Sequence, residues 1–306
     1  MDQRFPGLPA KPRTAFFGSP AEAAQVLERM IAEGFAPLVV VTNVDKRRTR
    51  RGAPVPTPVA RVAADHGIEV LHDPSELAGE DLHLGVVVAY GRILRAATLE
   101  LLPLVNIHFS LLPRWRGAAP VERAILAGDE ATGVCLMAVE EGLDEGEVFA
   151  EARVPIGARE TAQELRSRLA ALGAGMLCDA LRLGGPAFSA PRPQAGATTY
   201  ASKLTQDDLR IDFGAPAELA ARQSRVGGAW CMAGGKRLKV LEAMAVAEAD
   251  AVEAAGLAPG EMTGEAVACS PGLLRLLRVQ PEGGRPMSTA EWLRGRARAG
   301  SAPVLG

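Results

Sequence analysis

Three polar side chains in this 306-residue chain stand out by type and spacing: Asn106 and His108 at the start of NIHFSLLPRWRGAAP, and Asp144 further on, in GVCLMAVEEGLDEG. Residues two apart on a strand project from the same face, so Asn106 and His108 point the same way. If the strand VCLMAVE neighbours theirs, Asp144 can reach His108. A carboxamide, an imidazole and a carboxylate in one crevice suit an acyl transfer that needs no covalent enzyme intermediate. Asn106 and a protonated His108 would donate to the oxygen that becomes negative when an amine attacks a carbonyl, and Asp144 would assist removal of the amine's proton. A free α-amine has a pKa near ~8 and carries a proton to be handled at neutral pH. Plainer readings exist for each group. A strand-end histidine can be a hydrogen-bonded structural residue, and an aspartate near glycines is an ordinary turn residue. Ser110 has no second histidine close in sequence to activate it, so it is discounted as a nucleophile. Glu140, Glu141 and Glu145 read as solvated.

The elements that must position these groups are legible from periodicity. TAFFG, APLVVVTN, IEVL, LGVVVAY, VNIHFS and VCLMAVE are near-continuous apolar runs, as strands buried on both faces require. Helical patterns over 20–33, 58–66, 120–126 and 161–183 alternate with them, the first with Ser19 as its expected N-cap and Pro20 at its first position. The fold class is therefore α/β, with an open, mainly parallel sheet whose strand ends carry the crevice. Three prolines and three glycines in GGPAFSAPRPQAGA predict a linker over 184–197. Short strands among glycines and prolines follow, with a helix near 216–224, so the second domain is small and β-rich, a barrel by expectation. The boundaries are 1–183, 184–197 and 198–306.

Composition excludes several classes. The formal net charge of -2 gives no global field for a polyanion, so any such affinity needs a local patch. Two patches qualify. Lys46, Arg47, Arg48, Arg50 and Arg51 follow a strand beside the crevice, where they could hold phosphates or simply be solvated. A second run, GKRLK, lies at 235–239. The turn GSP at 18–20 offers N–H groups for an anion but lacks the dinucleotide pattern. No apolar run approaches the ~20 residues of a membrane helix, and no leader is recognised, so a soluble, unexported cytoplasmic protein is expected. Cys135, Cys178, Cys231 and Cys269 lack ligand spacing and read as reduced thiols; no metal site is expected.

The segment from Asn106 through Phe149, with FFGSP, VVVAYGRIL, YASKLTQDDLRIDF, GKRLK and VQPEGGRPMSTAEWLRG elsewhere, resembles the folate-dependent formyltransferases. The second domain points to the branch that acts on transfer RNA. The resemblance implies a Rossmann-like catalytic domain and an OB-like second domain that supports the transfer RNA. It also implies 10-formyltetrahydrofolate as donor and the α-amine of initiator methionyl-tRNA as acceptor, with no membrane partner; a monomer is expected. Carried over by position, Asn106, His108 and Asp144 form the catalytic trio. Ser110, Leu111, Leu112 and Pro113 line the folate site, with Val88, Tyr90 and Gly91 near the pterin. Lys46, Arg47, Arg48, Arg50 and Arg51 match the loop that approaches the acceptor stem. Two positions depart from the family pattern, Phe109 and Glu145, the latter in place of the usual threonine. Two other functions remain open at this point: formyl transfer to a nucleotide-sugar amine, which keeps the same trio, and a non-catalytic RNA-binding module.

Overall fold

The computed structural model describes residues 5–44, 46–47, 54–246, 256–297 and 304–306. Its elements run β1 (Thr14–Gly18), α1 (Ala21–Ala32), β2 (Val39–Val41), β3 (Lys46–Arg47), β4 (Pro54–Val55), α2 (Pro58–Asp65), β5 (Glu69–Leu71), β6 (Leu84–Val88), α3 (Ala96–Leu101) and β7 (Leu104–His108). They continue with β8 (Arg116–Gly117), α4 (Pro120–Ala127), β9 (Ala131–Ala138), β10 (Val148–Pro155), α5 (Ala162–Leu183) and β11 (Tyr200–Ala201). The remainder is α6 (Ala217–Val226), β12 (Trp230–Ala233), β13 (Lys236–Val246), β14 (Met262–Thr263), β15 (Ala266–Ala268), β16 (Leu273–Pro281), β17 (Met287–Ser288) and α7 (Thr289–Ala297).

Two compact units result. The first runs to Val121 and includes Ala131–Pro155 and Glu164–Ser202; the second comprises Glu122–Glu130, Ile156–Gln163 and Lys203–Gly306. In the first, a seven-stranded sheet has the order β10-β9-β7-β6-β1-β2-β5. The strands β5, β2, β1, β6 and β7 are parallel, as the apolar sequences of β1, β2 and β6 imply, and β9 and β10 add an antiparallel edge. Phe16, Val40, Val86 and Val105 are buried on one face, and Ala15, Phe17, Val39, Val41, Val87 and Leu104 on the other. Full burial of each such aromatic or branched side chain contributes about 2 kcal/mol.

The start of α2 follows its local signal, and that of α1 corrects the expectation. Thr57 caps α2 as its hydroxyl accepts from the Ala60 N–H, with Pro58 at the first position. Ser19 does not cap α1: the N-cap is Pro20, without a side-chain bond, and the Ser19 hydroxyl instead accepts from Asn43 N and Nδ2 at 3.1 and 2.8 Å. A better donor set reached it from the neighbouring strand end. Residues 184–197, whose composition reads as a linker, pack on the first unit. Phe188 is fully buried, its ring 5.8 Å from Phe5 and 5.0 Å from Phe149, and the Gly185 N–H donates to Leu8 O.

The second unit is an antiparallel sheet in the order β12-β13-β16-β15-β14, with β17 on β16. In β13, Leu238 and Val240 turn inward while Lys239 between them faces out, the alternation of a half-buried strand. Gly234 and Gly235, both at positive φ, make the β12–β13 turn. Residues 304–306 bridge the two ends of this path: Met232 and Gly306 exchange backbone hydrogen bonds, and the Leu305 N–H donates to Gly260 O, beside β14. That bridge gives the sheet its barrel-like closure around Leu238, Val240, Leu276, Val279, Trp292 and Leu305.

Candidate active site

β7 carries the first two groups. Asn106 lies beside Val87 of β6 and Met137 of β9, and His108 beside Cys135. Asn106 is half-buried, whereas His108 is only 5% exposed. The strands β7 and β9 are neighbours, as Asp144 required, but they run antiparallel, so β9 ends at Ala138 beside Val105, the opposite end of β7 from His108. The loop after β9 must therefore double back along β7 to deliver Asp144. It does so, and Asp144 Oδ2 lies 3.6 Å from His108 Nδ1.

Each half of that pair is anchored to backbone. His108 Nε2 is 2.9 Å from Trp115 O. A carbonyl only accepts, so Nε2 carries the proton and Nδ1 is the nitrogen turned to Asp144. Asp144 Oδ2 accepts from the Gly117 N–H at 2.7 Å. The 3.6 Å gap is too long for a direct hydrogen bond and short enough for one bridging atom to touch both. Asp144 itself adopts a φ of 51° and Trp115 one of 63°, left-handed conformations that cost a non-glycine residue free energy and concentrate at functional sites.

The SLLP turn shapes the wall beside the histidine. Ser110 is fully buried and its hydroxyl donates to Arg114 O at 2.6 Å, so it serves the turn rather than a nucleophilic role. The Leu112–Pro113 peptide is cis, and Leu112 packs with Cys135, Met137 and Val148. The turn is tied to the chain beyond α5: Trp115 N–H donates to Thr199 Oγ1 at 2.9 Å, and β8 pairs with β11.

Among the other residues singled out from sequence, Val88 and Tyr90 are buried as side chains. The Tyr90 ring packs edge-on to Phe17, and burial pushes its hydroxyl pKa up. The Tyr90 carbonyl accepts from Asn43 Nδ2 at 2.9 Å, and its hydroxyl accepts from Arg92 Nη1 at 3.2 Å. Leu111 is half-buried and Gly91 exposed. Lys46 and Arg47 form a backbone rung with Val55 and Pro54, while Arg48, Arg50 and Arg51 lie outside the described residues. Phe109 is buried.

Sequence reasoning missed Trp115, Gly117, Thr199, Arg116 and Gln194. The first, second and fourth stand inside the quoted RWRGAAP, where an eye for backbone donors could have found them. Gln194 sits in the proline-rich stretch and gave no signal. No group of histidine, cysteine or acidic residues able to hold a metal occurs among the described residues. No helix among them is long and apolar enough to cross a membrane.

Comparisons with known proteins identify the family. Residues 12–181 match the formyl transferase family model, and residues 203–297 match that of the formyl transferase C-terminal domain. The methionyl-tRNA formyltransferase of Paracoccus denitrificans is 42% identical over 93% of this chain and 98% of its own length. That of Halorhodospira halophila is 41% identical over 95% and 99%. Among solved structures, an N-formyltransferase from Helicobacter canadensis in complex with folinic acid and dTDP-3-aminofucose superposes with a TM-score of 0.64 at 15% identity, covering 90% of this chain and 99% of that one. HypX from Aquifex aeolicus superposes with a TM-score of 0.63 at 17% identity, over 94% of this chain and 48% of that one. At such identities the structures speak for the fold alone. The sequence relatives go further: matched by both domain models and 42% identical to a relative over nearly its whole length, the chain belongs to the formyl transferase family, among the methionyl-tRNA formyltransferases.

Proposed function

We propose that this chain transfers the formyl group of 10-formyltetrahydrofolate to the α-amine of initiator methionyl-tRNA, with Asn106, His108 and Asp144 as the catalytic residues. The observation that carries the reading is the 3.6 Å approach of Asp144 Oδ2 to His108 Nδ1 beside Asn106, with that same Oδ2 held by the Gly117 N–H and the opposite ring nitrogen of His108 held by Trp115 O. The amine nitrogen attacks the formyl carbon and a C–N bond forms. The carbonyl oxygen becomes an oxyanion, which the Asn106 carboxamide and the Nδ1–H of a protonated His108 address as donors, the Nε2–H staying on Trp115 O. The amine's proton passes by way of Asp144 and a bridging water. As the bond from the formyl carbon to the folate N10 breaks, that nitrogen takes up a proton and tetrahydrofolate leaves.

Ser110, Leu111, Leu112 and Pro113, with the Val88, Tyr90 and Gly91 segment, border the donor in this reading. Since most of these side chains are buried, the contacts available from Val88 and Tyr90 are backbone ones. The cations of 46–51 would hold phosphates of the acceptor stem, for which five charges suit a polyanion better than a nucleotide sugar. The acceptor question is testable together with the trio. Purified protein, 10-formyltetrahydrofolate and charged initiator methionyl-tRNA should give formylmethionine, and His108→Ala and Asp144→Ala should each lower kcat by ~100-fold or more. A wild-type protein that binds folate yet leaves methionyl-tRNA unformylated would overturn the proposal in favour of a nucleotide-sugar amine.

A further inference from the structure

The loop that presents Asp144 is gripped by two side chains outside the trio. Gln194 Nε2 donates to Asp144 O at 2.7 Å and to Gly146 O at 2.8 Å. Its Oε1 accepts from Arg116 Nε at 3.0 Å and from Nη2 at 2.8 Å. The third nitrogen of the same guanidinium, Nη1, pairs with Glu145 Oε1 at 3.0 Å. Three consecutive loop residues are thus held by one Arg116–Gln194 unit. The orientation of the amide is set by chemistry, because guanidinium nitrogens only donate and carbonyls only accept. Arg116 also stands between the two anchors of the site: Trp115, whose carbonyl takes the His108 Nε2–H, precedes it, and Gly117, whose N–H holds the Asp144 carboxylate, follows it.

We infer that Gln194 and Arg116 are positioning residues for the proton-handling pair, Gln194 acting through the Asp144 backbone and Arg116 through Gln194 and Glu145. The left-handed φ of 51° at Asp144 is a conformation the residue does not favour alone, and the carbonyl bond to Gln194 is one of the forces that hold it there. Released, the loop would relax and the 3.6 Å approach to His108 would change. Displacements of about an ångström at reacting groups cost on the order of a hundredfold in rate. Glu145, which departs from the family pattern, acquires a role in this arrangement as the carboxylate on the outer nitrogen of Arg116.

The inference rests on the catalytic reading of Asp144 given above, so its test includes both. Full-length Gln194→Met, Gln194→Glu, Arg116→Lys, Asp144→Asn and the double variant Gln194→Met/Asp144→Asn would be compared for kcat, for KM of each substrate and for Tm. Methionine keeps the side-chain length and loses every bond; glutamate keeps the Arg116 pair and loses both donors to the loop. Both Gln194 variants should lose ~10- to 100-fold in kcat with each KM within about twofold, Arg116→Lys should lose less, and the double variant should be no slower than Asp144→Asn. A Gln194→Glu protein with kcat within about twofold of wild type, beside an inactive Asp144→Asn, would overturn the positioning role and leave Asp144 catalytic. An Asp144→Asn protein as active as wild type would overturn the catalytic reading itself. Loss in Gln194→Met through KM alone would assign Gln194 to substrate binding and refute the inference.

Discussion

Replacing Gly117 by alanine should damage the site without touching any group of the trio. Gly117 has a φ of 115°, a conformation L-residues rarely adopt, and a Cβ built on it would lie 3.0 Å from Ala201 O. That carbonyl cannot retreat freely, because it accepts from the N–H groups of Ala118 at 2.9 Å and Ala119 at 3.1 Å. Residues forced into sparsely populated backbone regions cost of order 1–3 kcal/mol, and the backbone will relieve part of that by rotating. Rotation moves the Gly117 N–H, the donor 2.7 Å from Asp144 Oδ2. A hydrogen bond to a charged group contributes about 1.5–3 kcal/mol, so partial loss at Asp144 corresponds to roughly a tenfold to hundredfold drop in kcat. The assay is single-turnover formylation of charged initiator methionyl-tRNA at saturating folate, with thermal unfolding in parallel. Gly117→Ala should lower both kcat and Tm. A variant with unchanged kcat and unchanged Tm would refute the claim that this N–H and this φ set the position of the carboxylate. A lowered Tm with wild-type kcat would leave the strain and remove the link to Asp144.

Two glycines of α5 should respond in opposite directions to the same substitution. A Cβ at Gly173 would come 2.5 Å from Ile107 Cγ2 of β7, so Gly173→Ala should lower Tm, whereas Gly175 has nothing within 4 Å and Gly175→Ala should stabilise by about 0.5–1 kcal/mol; equal effects in thermal melts would contradict the packing. In the second unit, hydrogen bonds from the Arg123 guanidinium, and then from the Thr205 N–H, hold the Asp208 carboxyl down to about 2 from its ordinary 3.8. Since the folded value lies below the unfolded one, the stabilisation is present above pH ~4 and fades as pH falls toward ~2. Arg123→Met should therefore cost about 1 kcal/mol at pH 7 and progressively less in urea titrations at pH 4 and 3, the exposure of the pair keeping the figure small; a pH-independent difference would refute the assignment. Burial pushes the thiols of Cys135 and Cys269 up to about 11 and that of Cys231 to about 12. Cys135 and Cys231, both fully buried, should not react with an aromatic disulfide at pH 8 until urea is added, and fast modification of either in the folded protein would show the burial to be wrong.

Much of this was determined by the chain as a string. Apolar runs such as LGVVVAY and VNIHFS declare strands buried on both faces, because only such strands tolerate uninterrupted β-branched sequence, and their alternation with helical patterns fixes an α/β sheet. The pairing of Asn106 with His108 on one face follows from the two-residue period of a strand, and a carboxylate further on could be named as their partner from its chemistry. Tertiary structure alone decided how that partner arrives. No local signal says that β9 lies antiparallel to β7, so that the Asp144 loop must double back along the strand to reach the imidazole. Nor could composition reveal that 184–197 packs on the first unit. Proline and glycine report a chain that cannot form helix or ladder, and say nothing of whether its side chains find partners. Gln194 finds three, each contributed by a residue at least 48 positions away, and hydrogen bonds across that separation exist only once the sheet has assembled. Ser19 shows the same limit at short range. A serine before a proline-led helix reads as a cap, but folding brought Asn43 from the adjacent strand end, and its amide N–H groups claimed the hydroxyl that the helix was expected to use.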